Sequence, residues 1–351
     1  MFLRTSKNLK YLYLDEIICS PIIHECFYKN STVNSLVFVP WHYINDDFNS
    51  KAIDVLANIL SKNAILTYLS IRSIKFGIKR MKILLEALDK NTVLNSLAFY
   101  NNRIDIEEGK MLSKFLFKNT TLTSLNISFN RLGSEVAKIL ADILCKNTTL
   151  TTLNLYVNKI GSEGGEALAN ALCKNTTLTF LNLSANNLGS EGGKAIASAL
   201  CTNSTLKDMN IFFNNLEYEG GKALASALCT NTTLTSLNIK GNKLGSEGGK
   251  ALADALCNNT SLTYLNLQYN KIGSEGGKAL ADALCKNSTL KNLNISENYL
   301  GPEGGKALAN ALCKNFMLKN LNLKLNNIGS EGGKALANAL CKNSTLTSLN
   351  L

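Results

Sequence analysis

Histidine is nearly missing from this chain, with two in 351 residues. With so few, no nucleophile, base and orienting partner can be assembled into a catalytic set. Long apolar runs are missing too. No stretch approaches the ~18 consecutive apolar residues of a membrane-spanning helix, so no membrane role is expected. Met1 to Ser20 carry charges where a secretory leader would have an apolar core, and no cleaved leader is expected. Paired cysteines are lacking as well. Cys145, Cys173, Cys201, Cys229, Cys257, Cys285, Cys313 and Cys341 recur singly at one position of successive units. One cysteine per unit gives no second position for a disulfide ladder. Reduced thiols imply a cytoplasmic setting. Each lies next to a core leucine and reads as a small buried hydrophobe.

What the chain has is a period. Leu66, Leu94, Leu122, Leu150, Leu178, Leu206, Leu234, Leu262, Leu290, Leu318 and Leu346 are spaced by 28 residues without a slip. Each opens an L-x-x-L run, with Met209 replacing the second leucine once. A fixed period of this size marks a solenoid. It also moves the functional question from a cleft to a long surface. The apolar fraction, 45%, suffices for a continuous core. The net charge is +11. Most of it comes from periodic lysines, which reads as a solvated outer face rather than a focused patch.

One unit illustrates the pattern. Leu262, Leu265 and Leu267 alternate with polar residues and predict a short half-buried strand. Asn270 follows, with equivalents at 102, 130, 158, 186, 214, 242, 298 and 326. A short amide can cap backbone groups where the strand turns away. Stacked, these asparagines predict a buried hydrogen-bonded ladder, interrupted by Ile74. Ser274 is the expected helix N-cap, with Glu275 in the first turn and Pro302 at the matching place of another unit. Gly276, Ala279, Leu280, Ala283 and Leu284 follow at helical spacing. The N-x-[ST] triplets at Asn147, Asn175, Asn203, Asn231, Asn259 and Asn287 read as turns back to the next strand rather than glycan sites. Each unit is therefore strand, turn, helix, turn. Helices need ~10 Å and strands ~4.8 Å per repeat, so the stack should curve with its strands inside.

The string L-x-x-L-x-L-x-x-N-x-L-G, then G-x-x-x-L-x-x-x-L, resembles the ribonuclease-inhibitor-like subfamily of leucine-rich repeats. The wording G-G-K-A-L-A-x-A-L-C-K-N is similar to the repeat regions of NOD-like receptors. The resemblance covers about 66–351. It implies an α/β horseshoe, with a parallel sheet on the concave face and helices on the convex face. It also implies a cytoplasmic protein-recognition scaffold. Residues 1–65 hold two strand-like runs (Leu9, Leu12, Leu14 and Val33, Leu36, Phe38), together with Trp41, His24 and His42. They read as divergent repeats that cap the regular 28-residue repeats of 66–351, the two parts forming one continuous solenoid domain. The last unit is incomplete at Leu351, so the chain reads as a fragment or as having a covered C-terminal edge, where association is possible. No NACHT-type region is present.

Function is expected on the concave strand positions. The fifth is nearly constant asparagine, from Asn126 to Asn350, and reads as a polar ladder. The seventh and eighth vary most. Tyr156, Phe180, Phe212, Phe213, Tyr264 and Tyr269, with Lys240 and Lys324, form the expected partner-binding group. Lys207, Lys240, Lys291, Lys319 and Lys324 lie toward its C-terminal half, without the clustering that nucleic acid requires. Catalytic, cofactor and metal sites are not expected. G-S-E-G-G-K is one residue short of a phosphate loop. Cys19, His24 and Cys26 lack a fourth ligand. The expected function is a non-enzymatic scaffold binding a protein partner. The alternatives are a regulator of a small GTPase, since Ran GTPase-activating proteins share this repeat type, and a truncated array from a NOD-like receptor-type protein.

Overall fold

The computed structural model describes residues 9–15, 18, 32–40 and 46–351. Cys19, His24, Cys26, Trp41 and His42 lie outside the described residues. The chain forms two compact units, Met1–Lys159 and Ile160–Leu351.

The first unit contains β1 (Tyr11–Leu14), β2 (Ser35–Phe38), β3 (Tyr68–Arg72), β4 (Ser96–Tyr100), β5 (Ser124–Asn126) and β6 (Thr152–Asn154). Its helices are α1 (Asp46–Lys62), α2 (Gly77–Lys90), α3 (Ile106–Lys118) and α4 (Gly133–Leu144). The second unit contains β7 (Phe180–Asn182), β8 (Asp208–Asn210), β9 (Ser236–Asn238), β10 (Tyr264–Asn266), β11 (Asn292–Asn294), β12 (Asn320–Asn322) and β13 (Ser348–Asn350). Its helices are α5 (Gly161–Leu172), α6 (Gly189–Thr202), α7 (Glu217–Leu228), α8 (Gly245–Asn258), α9 (Gly273–Leu284), α10 (Gly301–Leu312) and α11 (Gly329–Leu340). Both units are α/β leucine-rich repeat solenoid. Among the described residues, no helix is long and apolar enough to cross a membrane.

Strands pair in parallel, and the register follows the sequence period. Leu69 faces Leu97, which faces Leu125, which faces Leu153. In the second unit Met209 faces Leu237, then Leu265, Leu293, Leu321 and Leu349. The regular strands are short because only the middle of each run stays extended. Leu262, Leu265, Leu267 and Ile272 are fully buried beneath them.

The asparagine ladder forms as expected. The Asn270 Oδ1 accepts the backbone N–H of Asn242 at 2.8 Å. Its Nδ2 donates to the carbonyls of Ile239 at 3.0 Å and Leu267 at 2.9 Å. Each such amide is buried and bridges two repeats, which satisfies backbone groups that the turn would strand. Ile74 breaks the row of side chains but not the bonding, since its N–H donates to Asn102 Oδ1 at 2.8 Å. The N-x-[ST] asparagines form a second ladder. Asn287 Oδ1 accepts from the N–H groups of Thr289 and Leu290, and its Nδ2 donates to the Leu256 carbonyl of the preceding repeat at 2.8 Å. These amides are bonded, and all but the half-buried Asn147 are buried, in keeping with turns.

Two local expectations are corrected. Ser274 does not cap its helix. Helix α9 starts at Gly273, with Ile272 at the cap position and no side-chain cap bond. The Gly273 N–H instead donates to the Asn298 carbonyl of the next repeat at 2.8 Å. Gly273 reaches it because its φ is +67°, a conformation open to glycine. Ser246, the counterpart of Ser274, buries a hydroxyl oxygen with no partner. A side-chain cap is made at α3, where Asp105 accepts from Glu107 and Glu108 N–H in a capping box. The periodic cysteines are the second correction. Cys173, Cys201, Cys229, Cys285 and Cys341 are exposed, and Cys145, Cys257 and Cys313 partly so. Each comes one residue after the last leucine of its helix, in the final turn, on the side away from that leucine, which is buried in every unit but the last. All are free thiols.

The helices of the second unit approach backbone to backbone. A Cβ on Gly193 would lie 3.3 Å from the Gly220 Cα, and one on Gly305 would lie 3.3 Å from the Gly332 Cα. In the first unit the matching positions hold Arg80-Met81, Glu108-Gly109 and Val136-Ala137.

Candidate functional site

The turn after each strand decides which side chains meet on the sheet face. The eighth position of the unit is left-handed throughout, including Phe129 (φ +58°), Val157 (+55°), Phe213 (+53°) and Tyr269 (+59°). Bulky side chains rarely adopt this conformation. The turn holds because the fifth-position asparagine bonds its own strand end. Asn266 Oδ1 accepts the Gln268 N–H at 3.0 Å, and Asn294 and Asn322 do the same for Ser296 and Lys324. This corrects the expected ladder between strands. The asparagine row is a series of local turns, because the oxygens face the chain's own bend and not the neighbour strand; Asn210 departs from it, since the Phe212 N–H donates to Ser184 Oγ of the preceding repeat.

In the second unit the left-handed turns of Phe213, Gly241 and Tyr269 follow three successive strands, β8, β9 and β10. A Cβ at Gly241 would collide with the Phe213 ring, so the ring lies on the glycine backbone and reaches across β9. Its centroid is 5.8 Å from that of Phe212 and 6.4 Å from that of Tyr269, edge-on in both cases. The Lys240 Nζ stands 5.6 Å from the Phe213 centroid, a cation–π distance. Phe213 is 43% exposed and Tyr269 50%. The structure therefore brings together Phe212, Phe213, Lys240 and Tyr269 of the expected group.

The other expected residues lie elsewhere. Phe180 and Tyr264 are half-buried on β7 and β10. Phe180 faces Asp208 in the strand register. Burial pushes the Asp208 carboxyl above its usual range, and a hydrogen bond from Ser236 opposes this. Lys324 is exposed after β12, two strands beyond Tyr269. Tyr156 belongs to the first unit. There the Phe129 ring lies 4.9 Å from Tyr100 and 4.8 Å from Tyr156, and Arg72 stands 5.8 Å from the Tyr100 ring. Arg72, Tyr100 and Phe129 are absent from the sequence-based group. Phe129 occupies the variable eighth position of its repeat, and Tyr100 the seventh of the repeat before it.

A second feature of the first unit was not visible in the sequence. Leu85 of α2, Met111, Phe115 and Phe117 of α3, and Ile139 and Ile143 of α4 line an open groove of about 490 Å³ on the helical side. Phe117 is 56% exposed. The groove lies further along the helices than residues 80–81, 108–109 and 136–137, none of which lines it. Among the described residues, no cluster of His, Cys, Asp or Glu is placed to hold a metal.

Comparison with known proteins agrees with this architecture. The family model described as the MHP1/HER1/GIP3 LRR domain matches residues 71–351. No curated protein matches the chain. Among solved structures, the chain is similar to a chain of the yeast Rad7–Elc1 complex, at 15% identity and a TM-score of 0.58, covering 96% of this chain and 78% of that one. It is also similar to the leucine-rich repeat-containing protein LegL7 of Legionella pneumophila, at 24% identity and a TM-score of 0.52, covering 79% and 88%. At these identities the likeness is one of fold.

Proposed function

We propose that this chain, which belongs to the MHP1/HER1/GIP3 leucine-rich repeat family, is a non-enzymatic scaffold that binds a protein partner across its concave sheet face. The observation that carries this reading is the group of Phe212, Phe213, Lys240 and Tyr269. Phe213 and Tyr269 hold left-handed turns, where glycine or asparagine would be less strained, and expose large apolar surface. Strain and exposure at the same residues are both unfavourable in the free protein, and a bound partner offsets them. Ring-rich anchors of this kind dominate binding energy in protein interfaces. The exposed free thiols fit a reducing, cytoplasmic setting. Parallel pairing of β2 with β3 supports residues 1–65 as divergent repeats that cover the first regular strand.

The test is a lysate pull-down with mass spectrometry. The chain is used beside a Phe212→Ser/Phe213→Ser/Tyr269→Ser variant shown by circular dichroism to remain folded. A partner held by the parent and lost by the variant is the expected result. Equal capture by both moves binding off the sheet face and overturns the reading.

A further inference from the structure

Two groups of lysines in the second unit differ in their partners. On the helices, Lys194, Lys250, Lys278, Lys306 and Lys334 each pair with the glutamate three residues earlier, at 2.8 to 3.2 Å. Their charge is largely neutralised in place. On the sheet face, Lys291, Lys319 and Lys324 have no ion pair among the described residues. Lys291 and Lys319 enter neighbouring strands at the same register, with the Lys319 N–H donating to the Lys291 carbonyl at 2.8 Å. Like charges at this spacing repel. Glu297 adjoins Lys324, to whose carbonyl its N–H donates, and not Lys291 or Lys319; its carboxylate accepts from the Gln268 side chain and makes no ion pair with Lys324. Asp208 lies three strands away from β11, bonded by Ser236.

We infer that β10 to β12 receive an acidic segment of a protein partner, with its carboxylates over Lys291, Lys319 and Lys324 and an apolar side chain seated on Phe213 and Tyr269. The inference rests on the sheet-face reading above and adds the partner's chemistry. Tyr269 and Lys324 are two strands apart, ~10 Å, which about three residues of extended chain can span, and Lys291 and Lys319 lie at the other end of the strands, ~16 Å away, so the segment crosses the face obliquely. The charge on this face is open to a ligand, whereas the five lysines near the helix starts already carry glutamate partners. A peptide is favoured over nucleic acid because the rings stand edge-on to each other rather than as open stacking platforms.

Fluorescence anisotropy on the full chain tests this. The probe is a fluorescein-labelled peptide with a tryptophan followed by a run of glutamates. Versions with lysine or glutamine in the run, and a labelled single-stranded oligothymidylate, serve as competitors of other chemistry. The acidic peptide should bind best and weaken with added salt. The Lys291→Glu/Lys319→Glu/Lys324→Glu variant should lose at least about tenfold in affinity, as close charge pairs at interfaces do. Lys278→Glu/Lys306→Glu/Lys334→Glu makes the same change in net charge on the helices and should shift affinity by less than about twofold, because its long-range effect is screened. Equal losses in the two variants, no preference for the acidic peptide, or tighter oligonucleotide binding overturns the inference. In the lysate experiment, a partner lost by the aromatic variant but kept by the sheet-lysine variant leaves the sheet-face reading standing and removes this one. A partner kept by both removes both.

Discussion

The two units share one repeat length and differ in how faithfully the helix is copied. In the second unit every helix carries Gly-Gly near its start, and neighbouring helices meet at glycine Cα atoms. In the first unit the same two places hold Arg80-Met81, Glu108-Gly109 and Val136-Ala137, and an apolar groove stands open on that side. The strands are paired alike in both. The sheet side is therefore fixed by leucine and asparagine, while the helix side depends on whether a side chain lies between neighbours. Small residues permit close backbone approach, and larger ones hold helices apart.

The comparison can be broken or sharpened by mutation, starting with the core. Leu224, fully buried in α7, should cost about 2–5 kcal/mol on substitution by alanine. Leu85→Ala, in the wall of the groove, should cost clearly less, because its cavity opens to water. Urea denaturation of both variants decides, and equal costs would mean that the first unit is packed as tightly as the second. Asn214→Ala comes next. It removes acceptance from the Asn186 N–H and donation to the Leu183 and Ile211 carbonyls, at a cost of about 1–3 kcal/mol. An unchanged melting midpoint would count against the ladder as a source of stability.

Glu108 supplies a smaller effect with a definite sign. Burial, the largest cause, raises its folded-state pKa above the ordinary carboxylate value of 4.5, opposed by the Asp105 backbone N–H. The folded state thus favours the protonated carboxyl. The stability it contributes is fully present below 4.5 and is lost as pH rises through the higher folded value. Glu108→Gln keeps the oxygen that accepts from Asp105 N–H and removes the charge. Its urea midpoint should exceed the parent's at neutral pH and converge with it at low pH; parallel profiles would refute the burial argument. The smallest effect is at Val157, a β-branched residue at φ +55° where the second unit has Gly241 once. Val157→Gly should stabilise by up to about 1 kcal/mol, strain relief of roughly 1–2 less the added chain entropy. A loss of stability would show that packing at this turn outweighs backbone strain.

Much of this architecture was legible in the residues. The strand runs at Leu12–Leu14 and Leu36–Phe38, the buried leucines and the Asn270 ladder could be read because a repeat makes sequence spacing equal to spatial neighbourhood. Ser274 misled because its cap role is filled by a carbonyl of the next repeat, a donor–acceptor pair that local preference cannot register. Cys285 misled because adjacency to a buried leucine says nothing of the side a helix end presents. The aromatic group was half legible. Phe212, Phe213 and Tyr269 were visible as exposed strand-end residues. Their contact was not, because it runs over Gly241, whose missing side chain matters only once Phe213 is folded onto it.

The sequence by itself determined the period, the parallel order and register, the apolar interior and the polar amides that tie repeat to repeat. These follow from identity at a fixed interval, since every unit must meet its neighbour with the same residues. Only the tertiary structure decided which sheet-face lysines stay unpaired, which rings touch, where the cysteines point and where the helices part. Those outcomes depend on side-chain direction and on distances across repeats, and no linear spacing encodes either.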